Sequence, residues 1–184
     1  MKKVYPMHIQ PICAETELHL TTHYNSCVNG LHRQNRVLVK EEIASTKLKL
    51  SLLAKQKTGR SMQKHAAPVR EATLVYNSNL RMKHISSLCD LLKNRFGIRM
   101  VQIHLHKHHC DNTLIIINHA HIIFNWMDKE TGKSIKLHKW DMAELQEMVR
   151  NEIEKMDCMM AYSGNKKETP LGRLVKTLFP FSYS

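Results

Sequence analysis

The sequence is poor in aromatic residues, in paired cysteines and in long apolar runs. Phe, Trp and Tyr make up 6% of its 184 residues, which argues against a base-stacking sheet of the RNA-recognition kind. The five cysteines are odd in number and none has metal-ligand spacing, which argues against a disulfide framework or a zinc finger and is typical of a reducing cytoplasm. An apolar stretch such as Leu114 to Ile117 is far too short to span a bilayer. We therefore expect a cytoplasmic protein with no signal peptide and no membrane contact.

Acidic residues are also scarce beside basic ones. The chain has 28 Lys and Arg against 16 Asp and Glu, a formal net charge of +12, which favours a polyanionic partner such as nucleic acid. Its 42% hydrophobic and 24% charged residues are ordinary for a globular chain and exclude wholesale disorder or a coiled-coil rod. The length fits one domain, which we place at residues 1–156, followed by a weakly patterned tail at 157–184.

The hydrophobic pattern predicts an alternation of strands and helices. The predicted strands are 3–12, 70–77, 98–107, 114–126 and 134–138. The predicted helices are 38–57, 80–96 and one that begins with Asp141 as its N-cap, and residues 13–36 are predicted to form a loop. Three consecutive strands with short turns predict an antiparallel meander. The expected fold class is α+β, an antiparallel sheet with helices covering one face as a two-layer sandwich, and Trp126 and Trp140 are expected to pack.

Histidine is unusually frequent in one part of the chain. Six of the 13 histidines are His104, His106, His108, His109, His119 and His121. Because side chains alternate faces along a strand, His104 and His106 share one face of their strand, and so do His119 and His121. If the two strands pair, three imidazoles can converge on a metal ion such as Mn, Co, Ni or Zn, or on Mg during phosphate chemistry. The alternative is a polar, His-rich face that binds no metal.

The segment Asn118-His119-Ala120-His121-Ile122-Ile123-Phe124-Asn125-Trp126 resembles the His-hydrophobic-His motif of the HUH endonuclease superfamily. Further segments, in the same order, resemble plasmid mobilisation relaxases of the Mob/Pre type. They are Lys57–Lys64, Pro68–Glu71, Arg95–Ile98, Gln102–Lys107, Lys129–Leu137 and Asp141–Met142. The likeness covers about residues 50–155.

The resemblance implies a conjugative relaxase domain with a central antiparallel sheet and flanking helices. Such a domain nicks one DNA strand at an origin of transfer, stays joined to the 5′ phosphate and later religates it. The implied ligands of a divalent metal, Mn or Mg, are His106, His119 and His121. The residues implied to hold the DNA backbone are Lys57, Arg60, Lys64 and Arg70. The implied partners are single-stranded DNA, accessory mobilisation proteins and a coupling protein.

The chain departs from the family pattern just after His106, the third histidine of the implied metal triad. Relatives carry an Asp-Glu pair there, whereas this chain has His108 and His109, so no acidic residue is predicted to orient a ligand histidine. The nucleophile implied by chain order is His19, with His23 or Tyr24 as alternatives. Two other functions remain open: a catalytically decayed relaxase that acts only as a DNA-binding module, and a metal-binding protein unrelated to DNA.

Overall fold

Five strands and three helices make up the part of the chain that the structure, a computed structural model, describes: residues 7–12, 36–63, 66–76, 81–109 and 116–155. The strands are β1 (Met7–Pro11), β2 (Arg36–Val39), β3 (Val69–Tyr76), β4 (Arg99–His109) and β5 (Ile116–Asn125). The helices are α1 (Ile43–Thr58), α2 (Met82–Phe96) and α3 (Lys139–Lys155). The strands form one antiparallel sheet in the order β1-β3-β5-β4-β2. The predicted α+β class with an antiparallel sheet is confirmed.

Helices α2 and α3 pack on one face of the sheet because their apolar side chains recur at helical spacing. The buried residues of this stripe are Ile85, Leu88, Leu92, Leu145, Val149 and Ile153. They form the main core with alternate residues of the central strands, such as Ile103 and Ile122. As the sequence predicts, α2 ends at Gly97, which has φ +75° and donates its N–H to the Lys93 carbonyl.

Helix α1 lies on the opposite face of the sheet. Its buried Ile43, Leu50 and Ala54 form a second apolar cluster with Val101 and Ile123. This cluster lies near the C-terminal end of β5. The rest of the same sheet face carries buried polar side chains. Helices therefore lie on both faces, which differs from the predicted arrangement over one face.

The predicted helix at 38–57 begins too early. Leu38 belongs to β2, where it pairs with Ile103 of β4, and α1 begins only at Ile43. Leu48 and Leu52 recur at helical spacing within the predicted helix, yet they are 63% and 60% exposed. An edge strand gains its hydrogen bonds from a neighbour far away in sequence, so local periodicity could not separate it from the helix that follows.

The predicted meander and the strand at 134–138 are wrong. The second neighbour of β5 is β3, and Ser134 forms only an isolated bridge with Met127. Asp141 is not the N-cap of α3, because its carboxylate lies in the first turn and accepts the His138 N–H at 2.8 Å. This back-bonding from the first turn is one half of a capping box.

The two tryptophans have different environments. Trp126 is buried and donates its indole N–H to the Ile135 carbonyl at 3.0 Å. Trp140 is 83% exposed, which contradicts the expectation that both rings pack. The predicted tail at 157–184 and residues 13–35 of the predicted loop lie outside the described residues. Within the described part, no helix is long and apolar enough to cross a membrane.

Candidate metal centre and basic pocket

Four histidines from β4 and β5 come together on the sheet face that also holds α1. The antiparallel register places His106 opposite His119 and His104 opposite His121. All four are buried, with exposed fractions from 1% to 9%. The sequence therefore predicted correctly that the two His-containing strands pair and bring these imidazoles together.

The rings of His106, His119 and His121 form a compact triad. The distance between ring centroids is 4.9 Å for His119 and His121, and 5.3 Å from each of them to His106. The ring of His104 stacks on His106 at a larger distance of 6.1 Å. Two imidazoles whose nitrogens lie about 2.1 Å from a shared ion place their centroids about 5 Å apart. The spacing of the triad therefore fits a common ion.

An acidic residue that the sequence analysis missed contacts this triad. Glu71 on β3 contacts Nδ1 of His121 through one carboxylate oxygen and accepts a hydrogen bond from Gln10 at 2.9 Å through the other. The side chains of Glu71 and His121 are only 2% and 7% exposed. The prediction that no acidic residue would orient a ligand histidine is wrong, because β3 supplies one. A carboxylate on Nδ1 leaves Nε2 of His121 as the nitrogen for a metal.

His104 lies beside the triad in an environment that keeps its ring neutral. Its Nε2 is 2.9 Å from Oε1 of Gln102, whose amide nitrogen donates to the Glu41 carbonyl at 2.9 Å. The Gln102 oxygen is thus an acceptor, so Nε2 of His104 carries the proton. Burial, reinforced by His121 and opposed by Glu71, lowers the pKa of His104 to about 4. Among the described residues, its buried Nδ1 has no hydrogen-bond partner.

The donor set and the spacing suit a divalent ion, but the rings are not yet aligned on one point. Within residues 7–12, 36–63, 66–76, 81–109 and 116–155, no three His, Cys, Asp or Glu side chains are placed to hold a metal. Binding a common ion would therefore require the triad side chains to reorient. Imidazole nitrogen suits Mn among other divalent ions, and Mg is a weaker match for it.

A basic pocket lies between the C-terminal end of α1 and the turn that follows β5. Its volume is about 390 Å³ and its lining residues are Lys57, Thr58, Arg60, Thr131 and Lys133. Asp128 fixes the turn, accepting a hydrogen bond from Thr131 at 2.8 Å and one from the Glu130 N–H at 2.9 Å. Three cations in one concave site suit a phosphate group.

Gly132 brings the two walls of this pocket together. A Cβ at this position would lie 2.7 Å from Cβ of Lys57, and the residue has φ +66°.

Gly132→Ala should therefore destabilise the protein by about 2–4 kcal/mol, from left-handed backbone strain and from the clash. Gly59→Ala is the matched control, because Gly59 has φ +70° but a Cβ there would meet no atom within 4 Å; it should cost about 1–2 kcal/mol. Urea unfolding measures both, and equal losses would contradict the close approach at Gly132.

The fold was compared with known proteins. No protein-family model and no curated protein sequence matches the chain. Among solved structures, it is similar to the MobM relaxase domain (MOBV; Mob_Pre) bound to 26nt pMV158 oriT DNA. The TM-score is 0.51 at 12% identity, and the match covers 89% of this chain and 92% of that chain. The chain has a relaxase fold.

Some of the site residues predicted from the sequence lie close together in the structure, and others lie apart. His106, His119 and His121 lie together, and Lys57 and Arg60 line the basic pocket. Arg70 precedes Glu71 on β3, so its side chain lies on the sheet face away from the histidines. There its guanidinium stacks over Trp126, 4.9 Å from the ring centre. The remaining predicted site residues, His19, His23, Tyr24 and Lys64, lie outside the described residues.

Proposed function

We propose that residues 1–156 form a relaxase domain that nicks and religates single-stranded DNA at a plasmid or transposon origin of transfer. The observation that carries this proposal is the buried triad of His106, His119 and His121, with Glu71 behind His121, in a relaxase fold. A cluster of four buried histidines beside a buried carboxylate is typical of a functional site. A cytoplasmic location, accessory mobilisation proteins and a coupling protein remain predictions from the sequence.

The triad would hold a divalent metal, Mn or Mg. When bound, such an ion supplies Lewis-acid stabilisation of the charge that develops on the scissile phosphate. The role of the chain is to hold the imidazoles buried and close together. Glu71 fixes the orientation of His121, and Gln10 in turn holds Glu71. This second layer of contacts keeps the ligand nitrogen available.

The proposed reaction is a phosphoryl transfer to a side chain near the N-terminus. The nucleophile is His19, with His23 or Tyr24 as alternatives, and it forms a bond to the phosphorus as the bond from phosphorus to the 3′ oxygen breaks. The 3′ oxygen leaves and takes up the proton that the nucleophile gives up, becoming a hydroxyl, while the 5′ phosphate stays attached to the protein. Attack by a 3′ hydroxyl on this adduct reverses the step and religates the strand.

The basic residues would hold the DNA backbone. Lys57 and Arg60 face the basic pocket, and we assign Lys64 and Arg70 to the same backbone-binding role from the sequence. Arg70 would contact DNA away from the metal centre, because it lies on the other sheet face. Phosphate contacts make the affinity for single strands fall with salt, with a log–log slope of about −0.7 for each phosphate neutralised.

A cleavage assay on labelled single-stranded origin-of-transfer DNA tests the proposal. The full chain is incubated with Mn, with Mg or with EDTA, and the products are resolved on a denaturing gel. We expect a metal-dependent covalent band that is absent from His19→Ala. A band that survives in His19→Ala moves the nucleophile to His23 or Tyr24. DNA binding without any band at any metal concentration would overturn the enzymatic proposal in favour of a decayed relaxase that only binds DNA.

Glu71→Gln should weaken the metal centre without removing a ligand. The amide can still accept a hydrogen bond from His121 but carries no charge, so we expect metal affinity and nicking to fall about 10–100-fold. Isothermal titration with Mn measures the affinity. Gln10→Ala, which removes only the donor to Glu71, serves as the milder control. Unchanged Mn affinity in Glu71→Gln would show that Glu71 does not act on the metal centre.

A further inference from the structure

Trp140 is an exposed aromatic ring in a protein that has few aromatic residues. It is the second residue of α3 and is 83% exposed, whereas Trp126 is 2% exposed. Single exposed apolar residues are common on protein surfaces, so the exposure of Trp140 alone indicates nothing about function. Its surroundings make the difference.

The segment that leads to Trp140 is basic on its outer side and anchored on its inner side. Ile135 and Leu137 are partly buried and pack against the main core. The exposed cations are Lys133, Lys136 and Lys139, spaced three residues apart. Hydrogen bonds between Ile135 and Trp126, 3.0 Å in each direction, fix the path of the segment. The exposed lysines therefore extend from a segment whose backbone is held against the core.

The segment itself carries no acidic side chain: residues 133–140 contain none, and the acids before it are Asp128 and Glu130 of the preceding turn. The next two acids along the chain are engaged in the fold: Asp141 accepts the His138 N–H, and Glu144 accepts two hydrogen bonds from Arg95, at 2.6 and 2.8 Å. Positive charge therefore leads up to the indole with no acidic residue in between. This is the combination of cations and an aromatic platform that single-stranded nucleic acid binds.

We propose that Trp140, Lys133, Lys136 and Lys139 form a binding surface for single-stranded DNA, which we call the Trp140 surface. The indole stacks on a base, and the lysines contact the flanking phosphates. Lys133 also lines the basic pocket, so the two features are continuous. The inference rests on the proposed function for the identity of the DNA as the substrate strand.

The Trp140 surface and the metal centre belong to different sides of the sheet. Ile135 and Leu137, which anchor the segment, pack against the main core, whereas the histidines lie on the face that holds α1. We therefore expect the Trp140 surface to raise affinity for the strand and to leave the rate of nicking at saturating DNA unchanged.

Tryptophan fluorescence of the full chain tests the inference, because the chain has only two tryptophans and one is buried. A single-stranded oligonucleotide should quench the emission of the wild-type protein. In Trp140→Phe, where only Trp126 emits, the same oligonucleotide should leave the emission unchanged. By fluorescence anisotropy of a labelled oligonucleotide, Trp140→Ala should bind about tenfold more weakly, and Trp140→Phe less than about threefold more weakly, since Phe still stacks.

The lysines are tested with a matched charge change elsewhere. Lys136→Ala should weaken binding and reduce the salt slope by about 0.7, because one phosphate contact is lost. Lys83→Ala removes the same charge at a distant position. Lys83 lies at the start of α2, and about 21 Å of helix separates it from the end of α2 that lies next to Ile135. The Lys83→Ala variant should bind more tightly than Lys136→Ala.

The possible outcomes separate this inference from the proposed function. Wild-type affinity in Trp140→Ala, together with emission that DNA does not change, would overturn the Trp140 surface while nicking still supports the relaxase. Quenching and weakened binding without any nicking would support the surface and count against the enzymatic proposal. A wild-type protein that binds no single-stranded DNA at low salt would overturn both.

Discussion

Replacing His119 with Ala should slow nicking of single-stranded DNA about a thousandfold at saturating substrate. The proposed metal supplies several kcal/mol of stabilisation to the transition state, and each 1.36 kcal/mol lost is a factor of about ten in rate. His119 suits this test because its ring lies 5.3 Å from His106 and 4.9 Å from His121, and its removal leaves the contact between Glu71 and His121 in place. His121 is a poorer choice, since its loss also leaves the buried Glu71 without its contact.

Single-turnover cleavage with Mn, read on a denaturing gel, measures this rate. Affinity for the same oligonucleotide should change less than about threefold, because phosphate contacts rather than the triad hold the strand. His138→Ala is the control, as it removes an exposed imidazole outside the triad and should nick at the wild-type rate when DNA is saturating. Nicking by His119→Ala at close to the wild-type rate would contradict a catalytic metal at the triad.

His121→Ala should destabilise the protein by about 3–5 kcal/mol. Glu71 and His121 are both buried, and removing one partner of a buried pair takes from the other a contact that stabilises it. The remaining carboxylate would keep its hydrogen bond from Gln10 but lose its contact with the imidazole. The loss should greatly exceed that of a surface histidine, because water cannot replace the missing partner.

Urea unfolding of single and double variants measures the coupling between the two residues. Adding Glu71→Gln to His121→Ala replaces the stranded carboxylate with a neutral amide and should recover about 1 kcal/mol or more. His119→Ala provides the comparison of a buried triad histidine whose removal leaves Glu71 and His121 in contact. If His121→Ala costs no more than His119→Ala, and Glu71→Gln adds its own loss in full, the pair does not stabilise the fold.

The spacing of residues along the chain was enough to predict the faces of the strands and the outline of the fold. Alternation along β4 and β5 put His106, His119 and His121 on common faces, and the structure pairs those strands in the register that brings them together. The helical stripe of α2 and its end at Gly97 were equally local properties. Each follows from the spacing of residues within one element, which is why the pattern sufficed.

The tertiary structure alone decided which elements meet. Glu71 and His121 are 50 residues apart, and only the placement of β3 beside β5 makes the carboxylate a neighbour of the ring. The strand identity of Leu38 depends in the same way on its pairing with β4. The basic pocket needs Gly132 against α1, and only the packing of α3 leaves Trp140 exposed. Periodicity fixes the direction of a side chain, whereas its partner depends on strand order and helix placement, which are set by contacts between distant segments.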